Sequence, residues 1–484
     1  MIKNNKQYLA NIIRTVSRQT WLIFGVTALF FGGIFAIFTP PMLGVDEFHH
    51  FNRAYQVSQG GLRSYDDGVA VGGIVPADVY NYQRRIIEVR YEGNYKGKSW
   101  TTWTNEAFSI SMQGPEKMAS FPGAAAYSPL AYLPAATVLF IAKNIDVSFG
   151  FALIAMRLAM LIAFTVIICY LLYVIRDYKL KWAVVTLALW PNVIFQASML
   201  TADTLAIALA FLIFGITFKA FNTKDLKRPE AVVLLVASII LPVIKFNYLL
   251  ISLLALFIPA VNFTTLKLKP LYVSVGSAFL MILLTFGWIY TVKDYADDNN
   301  KARAVLVQGV DSSTLGQVKY MLKNPIDTLL IMPKTMAENG KSESIDFVTR
   351  MAGSIGFNFT RLPTVVIVMS WILLILMLLY AKSEIQKNKK FITISSLMGL
   401  ISCLGVFLVL YLTWSPIGSE VITGVQGRYF IPVLLYIMSG LVLLLPIRIS
   451  FTQKRKIPFF VIGVSVIGLC ASAVYYLGQT YAIL

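Results

Sequence analysis

Of the 484 residues, 57% are hydrophobic and only 14% charged, with mean hydropathy +0.69 and a net charge of +18. A soluble chain carries about a quarter charged residues, so a soluble globular protein is excluded. The apolar runs are continuous rather than alternating, which also excludes a membrane β-barrel; the expected class is an all-α polytopic membrane protein, a single integral membrane domain over 1–484.

Basic residues (Lys3, Lys6, Arg14, Arg18) precede the apolar run Trp21–Phe38. That run is too long for a signal peptide and no A-x-A-like site follows it, so it is expected to remain as a first span. In chain order the runs predict eleven spans, near 20–38, 151–175, 181–196, 201–219, 230–244, 247–262, 270–291, 364–381, 391–413, 429–447 and 457–479. The apolar run 129–142 falls short of the ~20 residues that cross a bilayer and is expected to lie at the interface or re-enter. Two long loops, 39–150 with juxtamembrane helices and 292–363, exceed the length of simple connectors. Cys169, Cys403 and Cys470 all sit in apolar runs and imply no disulfide framework.

Charge sets the expected orientation. With the N-terminus inside, the inner segments hold 21 Lys and Arg against four acids, whereas loop 39–150 has nine basic and ten acidic residues and loop 292–363 has nine and eight. This is the positive-inside pattern. The basic excess therefore marks the cytoplasmic side and gives no reason to expect nucleic acid as a partner.

Both histidines of the chain, His49 and His50, follow the acidic pair Asp46-Glu47 in "GVDEFHHFNRAY", just after the first span. Further ionisable residues interrupt apolar sequence on the same expected side: Asp203 in "SMLTADTLAIALAF", Lys245 in "ILPVIKFNYLL" and Arg428 in "GVQGRYFIPVL". Charges at such depth usually face a polar cavity or a partner. The plainer reading is a set of structural ion pairs, Asp203 with Lys245 or Arg428 with Glu420. A zinc hydrolase is not expected, because the zinc-protease motif has histidines at i and i+4 while these are adjacent, and the chain has no third histidine. A divalent cation such as Mg or Mn on Asp46 or Glu47 with Asp203 stays open, since carboxylates suit hard ions.

The order of one span followed by a large loop that opens with an acid resembles the GT-C superfamily of polyprenyl-phosphate-dependent glycosyltransferases. "YSPLAYLP" (127–134), Arg157 opening a span and Asp203 opening a later one strengthen the likeness. More closely, D-E-x-x-H-x-x-R-A-Y at Asp46, Glu47, His50, Arg53, Ala54 and Tyr55, and Q-G-R-Y-x-x-P at Gln426–Pro432, resemble the bacterial membrane-protein family named domain of unknown function 2142. That family often carries a proline before the acidic pair, where this chain has Val45.

The resemblance implies a GT-C-like fold in the cytoplasmic membrane with an outward-facing site. It implies transfer of a sugar from a lipid-linked donor to an envelope glycan or lipid acceptor. Asp46 is the favoured base, with Glu47 as the alternative or as an orienting group. His50, Arg53, Arg157, Asp203, Lys245, Arg428 and Tyr429 are expected to bind substrate, Arg428 and Lys245 as phosphate clamps. Tyr95, Trp100 and Trp103 are candidates for stacking on sugars or for burial under the loop. The competing classes are a flippase or transporter of a lipid-linked glycan and a pyrophosphate-dependent polysaccharide ligase.

Overall fold

The computed structural model describes residues 19–66, 70–91, 99–223, 226–258, 269–295, 313–342, 345–356, 360–453 and 456–481. It is built almost wholly of helices. Eight of them among the described residues are long and apolar enough to cross a membrane: Thr20–Phe38, Phe149–Val174, Asp203–Thr223, Pro270–Thr291, Thr364–Lys387, Lys389–Thr413, Gly427–Leu444 and Ile457–Tyr481. Asp203–Thr223 is central, with 89% of its apolar window buried, while Pro270–Thr291 is peripheral at 17%.

Three expected spans fall outside this set: one is a single helix of 17 residues and two are broken into shorter pieces. The run 181–196 breaks into Lys181–Ala188 and Pro191–Ala197, both buried. Pro191 has no N–H to donate backward and takes the first position of a new helix instead. The run 230–244 forms Arg228–Ile244, a 17-residue helix with Pro242 near its end. The missing donor at Pro242 weakens the last turn, and Lys245 follows in extended conformation at φ −144° and ψ 102°. The run 247–262 becomes short helical pieces, Phe246–Tyr248, Leu249–Leu253 and Leu254–Phe257.

The run 129–142 forms a 3-10 turn, Pro129–Tyr132, and a 12-residue helix, Leu133–Asn144. At 1.5 Å per residue that helix is roughly 18 Å long, short of a bilayer core.

The first long loop also contains a small antiparallel sheet that the apolar pattern does not announce: β1 (Tyr65–Asp66), β2 (Val71–Pro76) and β3 (Glu116–Ser120), in that order. Gly72 pairs with Ser120, and any side chain at Gly72 would collide with the Ala119 carbonyl. A second pair, β4 (Ser354–Ile355) and β5 (Thr360–Arg361), lies in the later long loop.

The two long loops meet each other. Tyr295 Oη donates to the Ser64 carbonyl at 2.7 Å, while Asn192 Nδ2 ties the later loop to the helix Pro191–Ala197 by donating to the carbonyls of Arg350 and Met351. Tyr481, at the end of the last helix, donates to Phe38 at the end of the first. At the opposite end Glu384 accepts from the backbone N–H of Lys179, Glu230 pairs with Lys219, and Lys382 reaches the Leu445 carbonyl. The basic turns thus gather at one end and the acidic pair Asp46-Glu47 at the other.

Candidate functional site

The corner after the first helix places the acidic pair. Thr39 is extended, as the residue before Pro40 must be, so the helix stops at Phe38. Asp46 then adopts the left-handed conformation, φ 55°, and caps the helix Glu47–Ser58. Aspartate tolerates this conformation better than most side chains. The kink sends neighbouring carboxylates in different directions.

Glu47 turns inward and is fully buried. Its carboxylate takes a two-pronged grip on Arg157, at 2.7 Å from Nε and 2.6 Å from Nη2. The remaining guanidinium hydrogens go to the carbonyls of Ala36, Thr39 and Pro40. Glu47 also accepts from the Gly44 backbone N–H at 3.1 Å. Arg157 has no donor left for a ligand, so it does not bind substrate as expected. It and Glu47 hold the corner together. Of the two carboxylates only the Asp46 side chain is open, with 45% of it exposed.

Asp46 begins a row of alternating charges drawn from four distant segments. Its Oδ2 lies 2.7 Å from Arg428 Nη2. Arg428 Nε stands 3.4 Å from Asp203 Oδ2, and Lys245 Nζ pairs with Asp203 Oδ1. Asp203, Lys245 and Arg428 are 2%, 8% and 5% exposed. The two helix breaks explain how they get there. Asp203 opens its helix, where the positive end of the helix dipole favours an acid, and Lys245 is the extended residue that caps the end of Arg228–Ile244.

The Lys245 ammonium sits between two aromatic rings, 5.1 Å from the centroids of both Tyr127 and Tyr429. Arg428 packs on Tyr429 at 5.3 Å. Such cation–π contacts partly replace lost water. Asp203–Lys245 is therefore a pair, as the plainer reading had it, but within a larger row; Arg428 pairs with the two aspartates rather than with Glu420.

Burial raises the Asp46 carboxyl, but the charge and hydrogen bond of Arg428, with the neighbouring His50 and His49, together hold the group below its ordinary value. Asp46 is ionised at neutral pH. His50 is buried, which lowers its pKa to about 3, and the neutral ring bonds Tyr132 Oη through Nδ1 at 2.6 Å. It also stacks on Tyr127 at 5.8 Å. His49, lowered by burial to about 4, is neutral too.

Arg53 is fully buried and is not a ligand-facing group. It donates to the carbonyls of Gly61 and Leu62 and, at 3.4 Å, to that of Tyr127. Its task is to fix Tyr127 beside Lys245. A cation held jointly by Asp46, Glu47 and Asp203 does not fit this geometry: Glu47 is committed to Arg157, and both aspartates face Arg428. Among the described residues no group of three His, Cys, Asp or Glu is placed to hold a metal. Trp103 is buried and Trp100 donates to the Ile37 carbonyl; Tyr95 lies outside the described residues.

Fold and site together define a multi-pass helical membrane protein with a charged, aromatic-lined cluster where its broken helices and long loops meet. Residues 29–437, which include every member of the cluster, match the family model described as "Predicted membrane protein (DUF2142)". The chain belongs to that family. No curated protein and no solved structure matches it.

Proposed function

We propose that the protein is a glycosyltransferase of the GT-C kind, moving a sugar from a polyprenyl-phosphate carrier to an envelope glycan or lipid acceptor at the outer face of the cytoplasmic membrane. The observation that carries this reading is the half-exposed Asp46 carboxylate set directly against the buried cation Arg428. One group can take a proton and the other can hold a phosphate.

The acceptor hydroxyl attacks the anomeric carbon and yields its proton to Asp46. The bond from that carbon to the phosphate oxygen breaks, and the carrier phosphate leaves with the electron pair. Arg428 and Lys245 stabilise its growing charge. A single displacement of this kind inverts the anomeric configuration. At rest Arg428 keeps Asp46 a weak base; an incoming phosphate competes for the guanidinium and frees the carboxylate. Carrier binding thereby switches the base on.

One observation favours a second reading, a transporter or flippase of a lipid-linked glycan. The cluster is built at two helix breaks, before Asp203 and at Lys245, and transporters build sites on discontinuous helices. The two readings separate in a strain lacking the gene. A transferase loses one specific sugar from wall or lipid glycans, and Asp46→Asn fails to restore it. A flippase accumulates an intact lipid-linked glycan on the inner leaflet, and Asp46→Asn restores export.

The orientation has its own test. In a cysteine-free background, Ser111→Cys should react with an impermeant thiol reagent in intact cells and Lys387→Cys should not; the reverse pattern overturns the outward-facing site.

A further inference from the structure

The later long loop carries two consecutive helices, Thr314–Lys323 and Pro325–Ser342. Ser313 caps the first by accepting from the Gly316 N–H, and Pro325 opens the second, where its missing N–H costs nothing. In the second helix Ile326, Leu329, Leu330 and Met336 stand at i, i+3, i+4 and i+10, which gathers them within about 120° of its circumference. All four are exposed, Ile326 by 71% and Leu329 by 76%. On the first helix Leu315 and Leu322, two turns apart on one face, are exposed too.

The opposite face of the second helix is the packed one. Ile331 and Thr335 are buried there, and Thr335 Oγ1 accepts from the Ile422 N–H at 2.9 Å. On the first helix Gln317, also buried, accepts from the Gly418 N–H at 3.1 Å. Both bonds grip the connection that follows the span Lys389–Thr413 and runs on to Arg428. The pair is therefore fixed where that span ends. Asp327 and Lys334 are exposed and share one flank of the second helix, between its packed and bare faces. Two charges in so short a helix keep it from crossing a bilayer. It has two apolar faces, and protein covers one of them.

Bare apolar surface of this extent marks an interaction site, and its position says what covers it. Leu397, Leu400, Leu404 and Leu408 line one exposed face of Lys389–Thr413, the face a membrane-spanning helix turns to lipid. Leu408 lies less than two turns from the end of that span, and the helix pair docks on the residues just beyond. The bare face thus continues the lipid-facing surface at the level where hydrocarbon gives way to headgroups. Lys319 and Lys323, exposed on either side of Leu322 in the chain, suit that level. Their stems can lie along acyl chains while the ammonium groups reach phosphate. We infer that the helix pair lies flat in the headgroup–acyl boundary of the leaflet on the side of Asp46 and binds phospholipid directly. It anchors the connection leading to Arg428 at a fixed height against that leaflet. This holds for any reaction at the charge row, and for either orientation of the protein.

The test uses the full-length protein in phospholipid vesicles, cysteine-free except for a single introduced site that carries a bimane fluorophore. The quenchers are a phospholipid with a nitroxide high on its acyl chain, and iodide on both faces of the vesicle. Labels at Leu322→Cys and Leu329→Cys should be quenched several-fold more by the nitroxide lipid than by iodide, as should a label at Leu404→Cys on the span. A label at Ser111→Cys should show the reverse. Adding Leu329→Glu should shift the Leu322→Cys label toward iodide while the melting temperature in micelles stays the same, because Leu329 is exposed in the fold. Iodide quenching at Leu322 and Leu329 as strong as at Ser111 would place the face in water and overturn the inference. Protection from both quenchers, with energy transfer between labelled copies, would overturn it in favour of a second copy of the chain. None of these readings depends on transfer activity, so the proposed reaction can fail without touching them.

Discussion

Asp46 and Glu47 are adjacent carboxylates with nearly the same chemistry, and both meet an arginine from far along the chain. Glu47 spends everything it has: its partner Arg157 has every N–H satisfied and the pair is sealed from solvent. Asp46 is half open, and its partner Arg428 keeps an unsatisfied N–H. A saturated ion pair holds structure; an unsaturated one at an opening is poised to bind and react. The difference comes from one residue of backbone, the left-handed turn at Asp46.

The sharpest way to break the comparison is to unpair the buried lock. Glu47→Ala strands the Arg157 charge and should destabilise by about 3–5 kcal/mol, read as loss of folded protein or a large drop in melting temperature. A stable, active Glu47→Ala protein would erase the distinction between the two carboxylates.

Arg428→Lys comes next. It keeps the charge but loses the planar fork that faces Asp46 and Asp203 at once. Carrier affinity and turnover should both fall, by about tenfold or more if one charge-assisted bond is lost. Equal activity in the lysine variant would show that a point charge suffices. Glu420→Gln should have no effect on either quantity, because Arg428 pairs with the aspartates.

A pH-dependent effect, smallest near neutrality, sharpens the electrostatics around Asp46. In the folded protein His50 has a pKa of about 3, against ~6.5 for a free histidine. Between those values the unfolded chain holds a proton that the folded one refuses. Stability should therefore decline as pH falls below about 6.5, by at most about 1.4 kcal/mol per pH unit, and should not depend on this group above it. His49, lowered by burial to about 4, adds a decline of its own over most of that range, so His50→Gln should make the melting profile shallower without flattening it; an unchanged slope would mean that His50 is not buried neutral.

Helix positions and the acidic mouth were legible in the sequence because apolar run length and isolated charges in apolar sequence are local signals. Asp203, Lys245 and Arg428 stood out for that reason, and the structure brings them together. What was not legible depends on contacts between distant segments. Nothing local marks Arg157 and Arg53 as saturated internal braces, or Tyr127 as a wall of the Lys245 site. Pro191 and Pro242 did carry a readable sign, since each ends or splits a run that hydropathy alone continues.

The central claim is that Asp46 does chemistry while Glu47 does structure, and purified protein given a lipid-phosphate sugar and acceptor tests it in one comparison. Asp46→Asn should melt within a few degrees of the wild type while transfer falls by about 10²–10⁴-fold, the usual worth of a general base. Normal transfer by a stably folded Asp46→Asn protein would contradict the account.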